Sequence, residues 1–71
     1  MATRRVLLSI YGMHGQPCAE RVRNALRQVN GVTHVDVDVD FEQAVVSYLP
    51  NAASEEKLKE AVRQIGYQVP D

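Results

Sequence analysis

Residues 35–40 read VDVDVD, and this alternation of valine and aspartate is the clearest structural signal in the 71-residue chain. Successive side chains of a β-strand point to opposite faces of a sheet, so the valines share one face and the aspartates share the other. The pattern predicts a strand that is buried on one side. Its carboxylates face water and discourage edge-to-edge pairing with another chain.

The next segment along the chain predicts a second strand, paired with the first as a hairpin. A turn is expected around residues 41–43, and residues 44–49 then alternate between apolar and other positions. Residues 50–51, Pro-Asn, break this strand. The side chains predicted to share its inner face are Ala44, Val46 and Tyr48.

Upstream of the hairpin, the sequence predicts a strand followed by a helix. Residues 6–11 are mostly aliphatic and aromatic and end at Gly12, which is typical of a strand. Pro17 suits the first helical position, and the pair at residues 30–31, Asn-Gly, is a common helix stop. Apolar side chains recur between them at helical spacing. They are Cys18, Val22, Ala25, Leu26 and Val29.

Downstream of the hairpin, the sequence predicts a second helix and a short last strand. Ser54 is a suitable N-cap, and two glutamates follow it at the positive end of the helix dipole. Gly66 ends the helix, and residues 67–69 are predicted to form a strand before Pro70. The apolar stripe of this helix is predicted to be Leu58, Ala61, Val62 and Ile65.

The order of these elements, βαββαβ, defines the fold class. With right-handed crossovers it predicts a ferredoxin-like α+β fold, in which a four-stranded antiparallel sheet carries both helices on one face. We expect residues 1–71 to form a single domain, because a chain of this length has room for one core. No linker, repeat or low-complexity segment interrupts it.

Composition excludes several classes of function. The net charge is −1 and no basic block is interleaved with aromatics, so nucleic-acid binding is not expected. No stretch approaches the ~20 apolar residues of a membrane span, and the apolar run after Arg5 stops at Ser9 without a cleavage site. We expect a cytoplasmic protein that does not insert into membranes, which a single cysteine also fits. No set of nucleophile, base and orienting group is visible, so an enzyme is not predicted.

Cys18 is the residue with the most distinctive chemistry, because it begins the first predicted helix. The positive end of a helix favours the thiolate, and a thiolate is a soft ligand suited to Cu(I). His14, in the preceding loop, is a candidate second donor, and Met13 is a weaker one. On spacing alone, a single cysteine is more often a small, partly buried apolar residue, and a loop histidine is more often solvated.

The loop and first helix resemble the heavy-metal-associated domain family, which includes small copper chaperones and the N-terminal domains of soft-metal P-type ATPases. Residues 10–26 read IYGMHGQPCAERVRNAL. They are similar to the family signature Gly-Met-(Thr/Ser/His)-Cys-x-x-Cys followed by an amphipathic helix. Residues 44–48 and 55–69 also resemble the family's third strand, second helix and closing Gly-Tyr. The resemblance covers nearly the whole chain and implies the same fold.

The chain departs from the family's metal-binding motif at one position. Gly12, Met13 and Cys18 fall on the motif and His14 takes its Thr/Ser/His position, but Gly15 stands where the family has its first cysteine. The family binds Cu(I) between two thiolates. The resemblance therefore implies that Cys18 is a metal ligand whose partner thiolate is missing. It also implies that Tyr67 lies near the metal loop and can shield it.

Three functional hypotheses follow from this resemblance. In the first, Cys18 and His14 together hold a soft ion, with Cu(I) as the leading candidate, in a chaperone-like carrier or sensor. In the second, two chains share the ion through one Cys18 each, as a metal-bridged homodimer, or a chain shares it with a different partner. In the third, the domain has lost metal binding and acts as a protein-interaction or regulatory module. The partners implied by metal binding are a soft-metal P-type ATPase or another metal-handling protein.

Overall fold

The computed structural model describes residues 2–70. In this range the elements are β1 (Arg4–Ser9), α1 (Gln16–Arg27), β2 (Val32–Asp38), β3 (Gln43–Tyr48) and α2 (Glu55–Gln64). The strands form an antiparallel sheet in the order β1-β3-β2. Helix α1 packs against β2 and against α2. Side chains of both helices join one buried cluster with the inner side chains of the sheet, so both helices cover the same face.

The core lies between the sheet and the helices. The predicted alternation is confirmed in the middle of β2 and along β3, but β2 ends at Asp38, so residues 39–40 lie in the turn. In β2, Val35 is buried whereas Asp36 is exposed. The three inner positions predicted for β3 are all buried. Burial of this apolar surface is the main force that stabilises such a small fold. The buried cluster comprises Leu8, Ile10, Met13, Val22, Leu26, Val35, Ala44, Val46, Tyr48, Ala53, Leu58, Val62 and Val69.

The prediction of a fourth strand is wrong for the described residues, where the last segment makes only an isolated antiparallel bridge between Tyr11 and Gln68. The two residues exchange N–H···O bonds of 2.8 and 3.1 Å. In an antiparallel ladder, hydrogen-bonded pairs recur every two residues. Towards the C-terminus, the next pair needs an N–H from Pro70, and proline has none. On the other side, the N–H of Gly66 already donates to the carbonyl of Arg63 at 3.0 Å. Pairing therefore cannot extend in either direction.

The second helix begins as predicted and ends slightly earlier than predicted. The Ser54 hydroxyl accepts a hydrogen bond from the Lys57 N–H at 3.3 Å, which confirms the N-cap. Leu58 and Val62 are fully buried, but Ile65 is 42% exposed. The prediction that Ile65 belongs to the buried stripe of the helix is wrong. Helix α2 ends at Gln64, so the side chain of Ile65 lies beyond the last helical turn.

Three connecting segments meet at one end of the molecule. The loop between β1 and α1 lies there, and the N–H of Ile10 donates to the carbonyl of Glu42 at 2.8 Å, which ties the β2–β3 turn to it. The Tyr11–Gln68 bridge ties the segment after α2 to the same place. We term this region, made of residues 11–18, 39–42 and 65–68, the loop end.

Candidate metal centre

Cys18 lies in the first turn of α1, as the sequence predicted. The N–H groups of Cys18 and Ala19 both donate to the carbonyl of Gly15 at 3.1 Å, so the helix begins directly at the motif. This first turn, which lies wholly within the described residues, has no acidic side chain. The positive end of the helix dipole is therefore not offset there. The thiol is half-buried, so it remains accessible to a ligand.

The pKa of the Cys18 thiol lies below its ordinary value of 9.0, mainly because the hydroxyl of Tyr67 hydrogen-bonds to the sulfur. The backbone N–H groups of His14 and Gly15 and the positive charge of Arg21 lower this pKa as well, whereas partial burial raises it. Each of the three hydrogen-bonding groups stabilises the negative charge of a thiolate. The site therefore favours the form of sulfur that binds metals.

Cys18 and Arg21 both affect the pKa of the Tyr67 phenol. The hydrogen bond to Cys18 is the main reason that the pKa of the Tyr67 phenol is raised, and Arg21, which also hydrogen-bonds to it, acts in the opposite direction. The ring of Tyr67 lies against Gly12, where an added Cβ would be 3.6 Å from Cδ1 of the ring. Tyr67 thus covers one side of the loop. Only the family resemblance predicted that Tyr67 lies near the metal loop. No feature of the sequence predicted its hydrogen bond to Cys18.

The other two candidate donors differ in their surroundings. His14 is exposed, and its backbone N–H faces the Cys18 sulfur. Met13 is only 7% exposed and belongs to the core cluster, which supports a packing role for it rather than a metal-binding one. Between residues 2 and 70, no group of three or more His, Cys, Asp or Glu side chains is gathered as a metal site. Cys18 and His14 therefore remain the donor set that the sequence predicted.

Gly15 has room for a side chain. Its φ of 161° is extended backbone that any residue adopts. Among the described residues, a Cβ at this position would have Cδ of Pro17, at 3.8 Å, as its one neighbour within 4 Å. That is an ordinary van der Waals distance. A two-thiolate loop is therefore prevented here by the absence of a donor atom and not by the absence of space.

The remaining polar features have structural roles. Glu20 forms an ion pair with Arg23 on the exposed face of α1, one helical turn further on. His34, the other histidine of the chain, is exposed. The carboxylate of Asp38 accepts the N–H of Phe41 at 3.2 Å and so stabilises the β2–β3 turn. In the part of the chain that the structure describes, no helix has the length and apolar character needed to cross a bilayer.

Comparison with known proteins identifies close relatives of this loop and fold. Residues 7–68 match the model of the heavy-metal-associated domain. The copper chaperone CopZ of Staphylococcus haemolyticus is 40% identical over 63 residues, which are 89% of this chain and 93% of that protein. The mercuric transport protein periplasmic component of Pseudomonas aeruginosa is 39% identical over 66 residues, 93% of this chain and 72% of that protein.

A solved structure shows the same likeness in three dimensions. It is the N-terminal domain of a potential copper-translocating P-type ATPase from Bacillus subtilis, determined in the Cu(I)-loaded state. It superposes with a TM-score of 0.90 at 35% sequence identity and covers 96% of this chain and 85% of that one. The likeness thus extends over nearly the whole chain, including the loop end.

Proposed function

The chain belongs to the heavy-metal-associated domain family, and on this premise we propose that it is a chaperone-like carrier or sensor that binds Cu(I) through Cys18. One observation carries the proposal. A thiol in the first turn of α1, at a cysteine position of the family motif, has its pKa lowered by Tyr67. The relatives named copper chaperone and Cu(I)-loaded ATPase domain support copper as the ion.

In an isolated chain, Cys18 is the anchoring ligand and His14 is the second donor. The backbone N–H of His14 helps to lower the pKa of the Cys18 thiol, and the side chain of His14 is exposed; both observations support His14 as the donor whose imidazole would approach a bound ion. Imidazole is a less soft ligand than thiolate, so Cu(I) is held more weakly than between two thiolates. In this role residues 1–71 act as one domain without catalytic activity, and a cytoplasmic location stays a prediction.

A metal-handling protein with a similar soft-donor loop is the proposed partner. The N-terminal domain of a copper-translocating P-type ATPase has this character, and it shares the fold of this chain. Ligand exchange between two exposed sites would move the ion without releasing it into water. The half-buried thiol and the exposed His14 are both placed for such an exchange.

Gly15 favours a second candidate function, that of an interaction or regulatory module whose metal loop no longer works. Glycine supplies no donor atom, so half of the family's thiolate pair is absent. Under this hypothesis, the loop end would bind another protein without metal, and Cys18 would contribute only to packing.

An anaerobic Cu(I) titration against a competing chelator separates the two candidates. We expect the wild type to withdraw Cu(I) from the chelator, Cys18→Ser to fail, and His14→Ala to bind more weakly. Gly15→Cys, which the available space accommodates, is the positive control. It should bind at least about tenfold more tightly, equivalent to 1.4 kcal/mol. A wild type that competes no better than Cys18→Ser, beside a Gly15→Cys variant that binds, would identify the interaction module.

A further inference from the structure

Positively charged side chains from two elements lie around a recess outside the loop end. Helix α1 supplies two arginines to it, and strand β2 supplies the other residues. The recess has a volume of about 240 Å³ and is lined by Arg23, Arg27, Thr33, His34 and Val35. Arg27 follows Cys18 by nine residues, which is about 13 Å along a helix axis. The recess is therefore a separate feature from the candidate metal centre.

We propose that this recess binds a phosphate group, either as inorganic phosphate or as the phosphate monoester of a larger molecule. A guanidinium presents its N–H donors in a planar fork that matches the oxygens of phosphate. A phosphate monoester carries roughly 1.5 to 2 negative charges at neutral pH, so it can use two arginines at once. The recess is smaller than the ~300–1,000 Å³ typical of sites for drug-sized organic ligands, which favours a small charged group.

Arg27 is the main anchor of the proposed site. It lies in the last turn of α1, where its positive charge offsets the negative end of the helix dipole. Without this charge, the end of the helix would repel an anion. The ion pairs between described residues leave Arg27 without a carboxylate partner, and the residue is exposed. Its guanidinium is therefore available to a ligand.

Arg23 contributes to the same recess, although it already has a partner. One terminal nitrogen of its guanidinium pairs with the carboxylate of Glu20, one turn earlier in α1. A guanidinium has several N–H donors, so the remaining donors can bind a phosphate oxygen. The contact with Glu20 restricts the side chain, which lowers the entropy that is lost on binding. The carboxylate also offsets part of the charge of Arg23, so Arg27 is the stronger contributor.

Strand β2 completes the recess through an irregularity in its pairing with β3. The register shifts between Val32 and His34, so Thr33 is an extra residue on this strand. The Thr33 hydroxyl donates to the carbonyl of Ser47 at 3.2 Å, which stabilises the irregular segment and uses the hydroxyl proton. His34 is therefore the side chain of β2 that can donate to a ligand in the recess. An imidazole has at least one N–H donor in either protonation state.

Heteronuclear NMR of the isotopically labelled protein tests the proposal by titration with sodium phosphate, in which sodium chloride holds the ionic strength constant. We expect saturable shifts of the amides of Arg27 and of residues 33–35, with a dissociation constant on the order of 1 mM. An affinity in this range is expected because the arginine and histidine are exposed, and ion pairs in water are weak. Acetate, which carries a single charge, should bind several-fold more weakly.

Arg27→Gln should lower the affinity for phosphate by about tenfold, because it removes a hydrogen bond between charged groups. His34→Gln should lower it by a smaller factor, because one amide N–H can replace the imidazole donor. Arg5→Gln is the matched control, since Arg5 is an exposed arginine of β1 outside the recess. This control should leave the dissociation constant unchanged. The spectrum of each variant without ligand shows whether its fold is intact.

Three results would overturn the site: shifts that do not saturate, equal affinities for acetate and phosphate, or equal effects of Arg27→Gln and Arg5→Gln. A parallel titration with phosphoserine identifies the source of the phosphate group. Tighter binding of phosphoserine supports a phosphate monoester as the ligand, and tighter binding of inorganic phosphate supports the free ion. Cys18→Ser should bind phosphate as the wild type does, because this site is independent of the metal centre.

Discussion

At the scale of single residues, the state of the Cys18 sulfur depends on Tyr67, which comes from the opposite end of the chain. The helix N-terminus that the sequence indicated is present, but the hydrogen bond from Tyr67 is the largest cause of the lowered thiol pKa. The phenol donates to the thiolate, which raises the pKa of the phenol, whereas Arg21 acts on that pKa in the opposite direction. Binding chemistry at the loop is therefore set jointly by the first helix and by the segment that follows the second.

Tyr67→Phe should move the pKa of Cys18 upwards, towards 9.0, because it removes the hydroxyl that contributes most to stabilising the thiolate. The measurement is the rate of Cys18 alkylation as a function of pH, since only the thiolate reacts. Tyr11→Phe is the matched control, because Tyr11 lies at the same end and its hydroxyl is not part of the contact. An unchanged alkylation profile in Tyr67→Phe would show that the hydrogen bond does not govern this thiol.

The direction of this pKa shift also fixes the sign of its effect on stability. Because the pKa is lowered by folding, the folded chain holds fewer protons than the unfolded chain between the folded pKa and 9.0. The free energy of unfolding therefore rises with pH through that window, and the contribution is lost as pH falls through the folded pKa. Tyr67→Phe narrows the window, so the rise with pH should be smaller in that variant.

At the scale of elements, the connections between α1 and β2 and after α2 both contain a glycine with positive φ, but their surroundings differ. Gly31 has a φ of 94°, and an added Cβ would lie 2.8 Å from the Cβ of Ala52. Gly66 has a φ of 98°, and no described heavy atom lies within 4 Å of its Cβ position. Replacing Gly66 by alanine therefore tests backbone strain alone, whereas replacing Gly31 tests backbone strain together with steric crowding.

Gly66→Ala should lower the free energy of unfolding by about 1 kcal/mol, the cost of a left-handed conformation for a residue with a Cβ. Gly31→Ala should cost about 2–4 kcal/mol, because crowding against Ala52 adds to the same strain. Urea denaturation of both variants beside the wild type measures the difference. Equal losses would mean that the segment at Ala52 moves aside without cost.

Most elements could be predicted from local patterns, because their signals are local. The alternation around Val35 reflects a sheet with one face exposed to solvent. Ser54 caps α2 through its own hydroxyl. Ile65 was misplaced because helical spacing alone does not reveal that the helix ends one residue earlier. The length of the last strand was predicted wrongly, because a strand extends only where N–H groups are available to bond to its neighbour, and Pro70 has no N–H.

The candidate site could be predicted only in part. The position of Cys18 in the first helical turn follows from Pro17 and the apolar spacing after it, and the structure confirms it. The contact of Cys18 with Tyr67 joins residues far apart in sequence, so no local pattern contains it. The exposure of Phe41 could not be decided either, because a turn residue can fold back onto the core or project from it.

At the scale of the whole molecule, β3 is the strand bonded on both sides, whereas β1 and β2 each have β3 on one side. Beyond the isolated bridge at Tyr11, the described residues add no further strand beside β1. We therefore expect β3, together with the apolar side chains beneath it, to be the last part of the sheet to open. The three segments of the loop end lie outside this part of the sheet.

Amide hydrogen exchange should follow this arrangement. We expect the slowest exchange in β3, and fast exchange for those amides of β1 that do not bond to β3. NMR-detected exchange at several pH values would measure both sets. Strong protection along the outer edge of β1 would mean that a fourth strand forms after all, contrary to the single bridge at Tyr11 and Gln68.

The open space at Gly15 has a consequence for the history of this loop. Some glycine codons become cysteine codons by a single base change, and the backbone at this position already accepts a side chain. Where Gly15 is encoded by GGT or GGC, one base change gives a cysteine, and the Cβ of that cysteine meets no close neighbour among the described residues. Persistence of glycine at such an accessible position would point to selection for a half-site, which sequences of close orthologues could reveal.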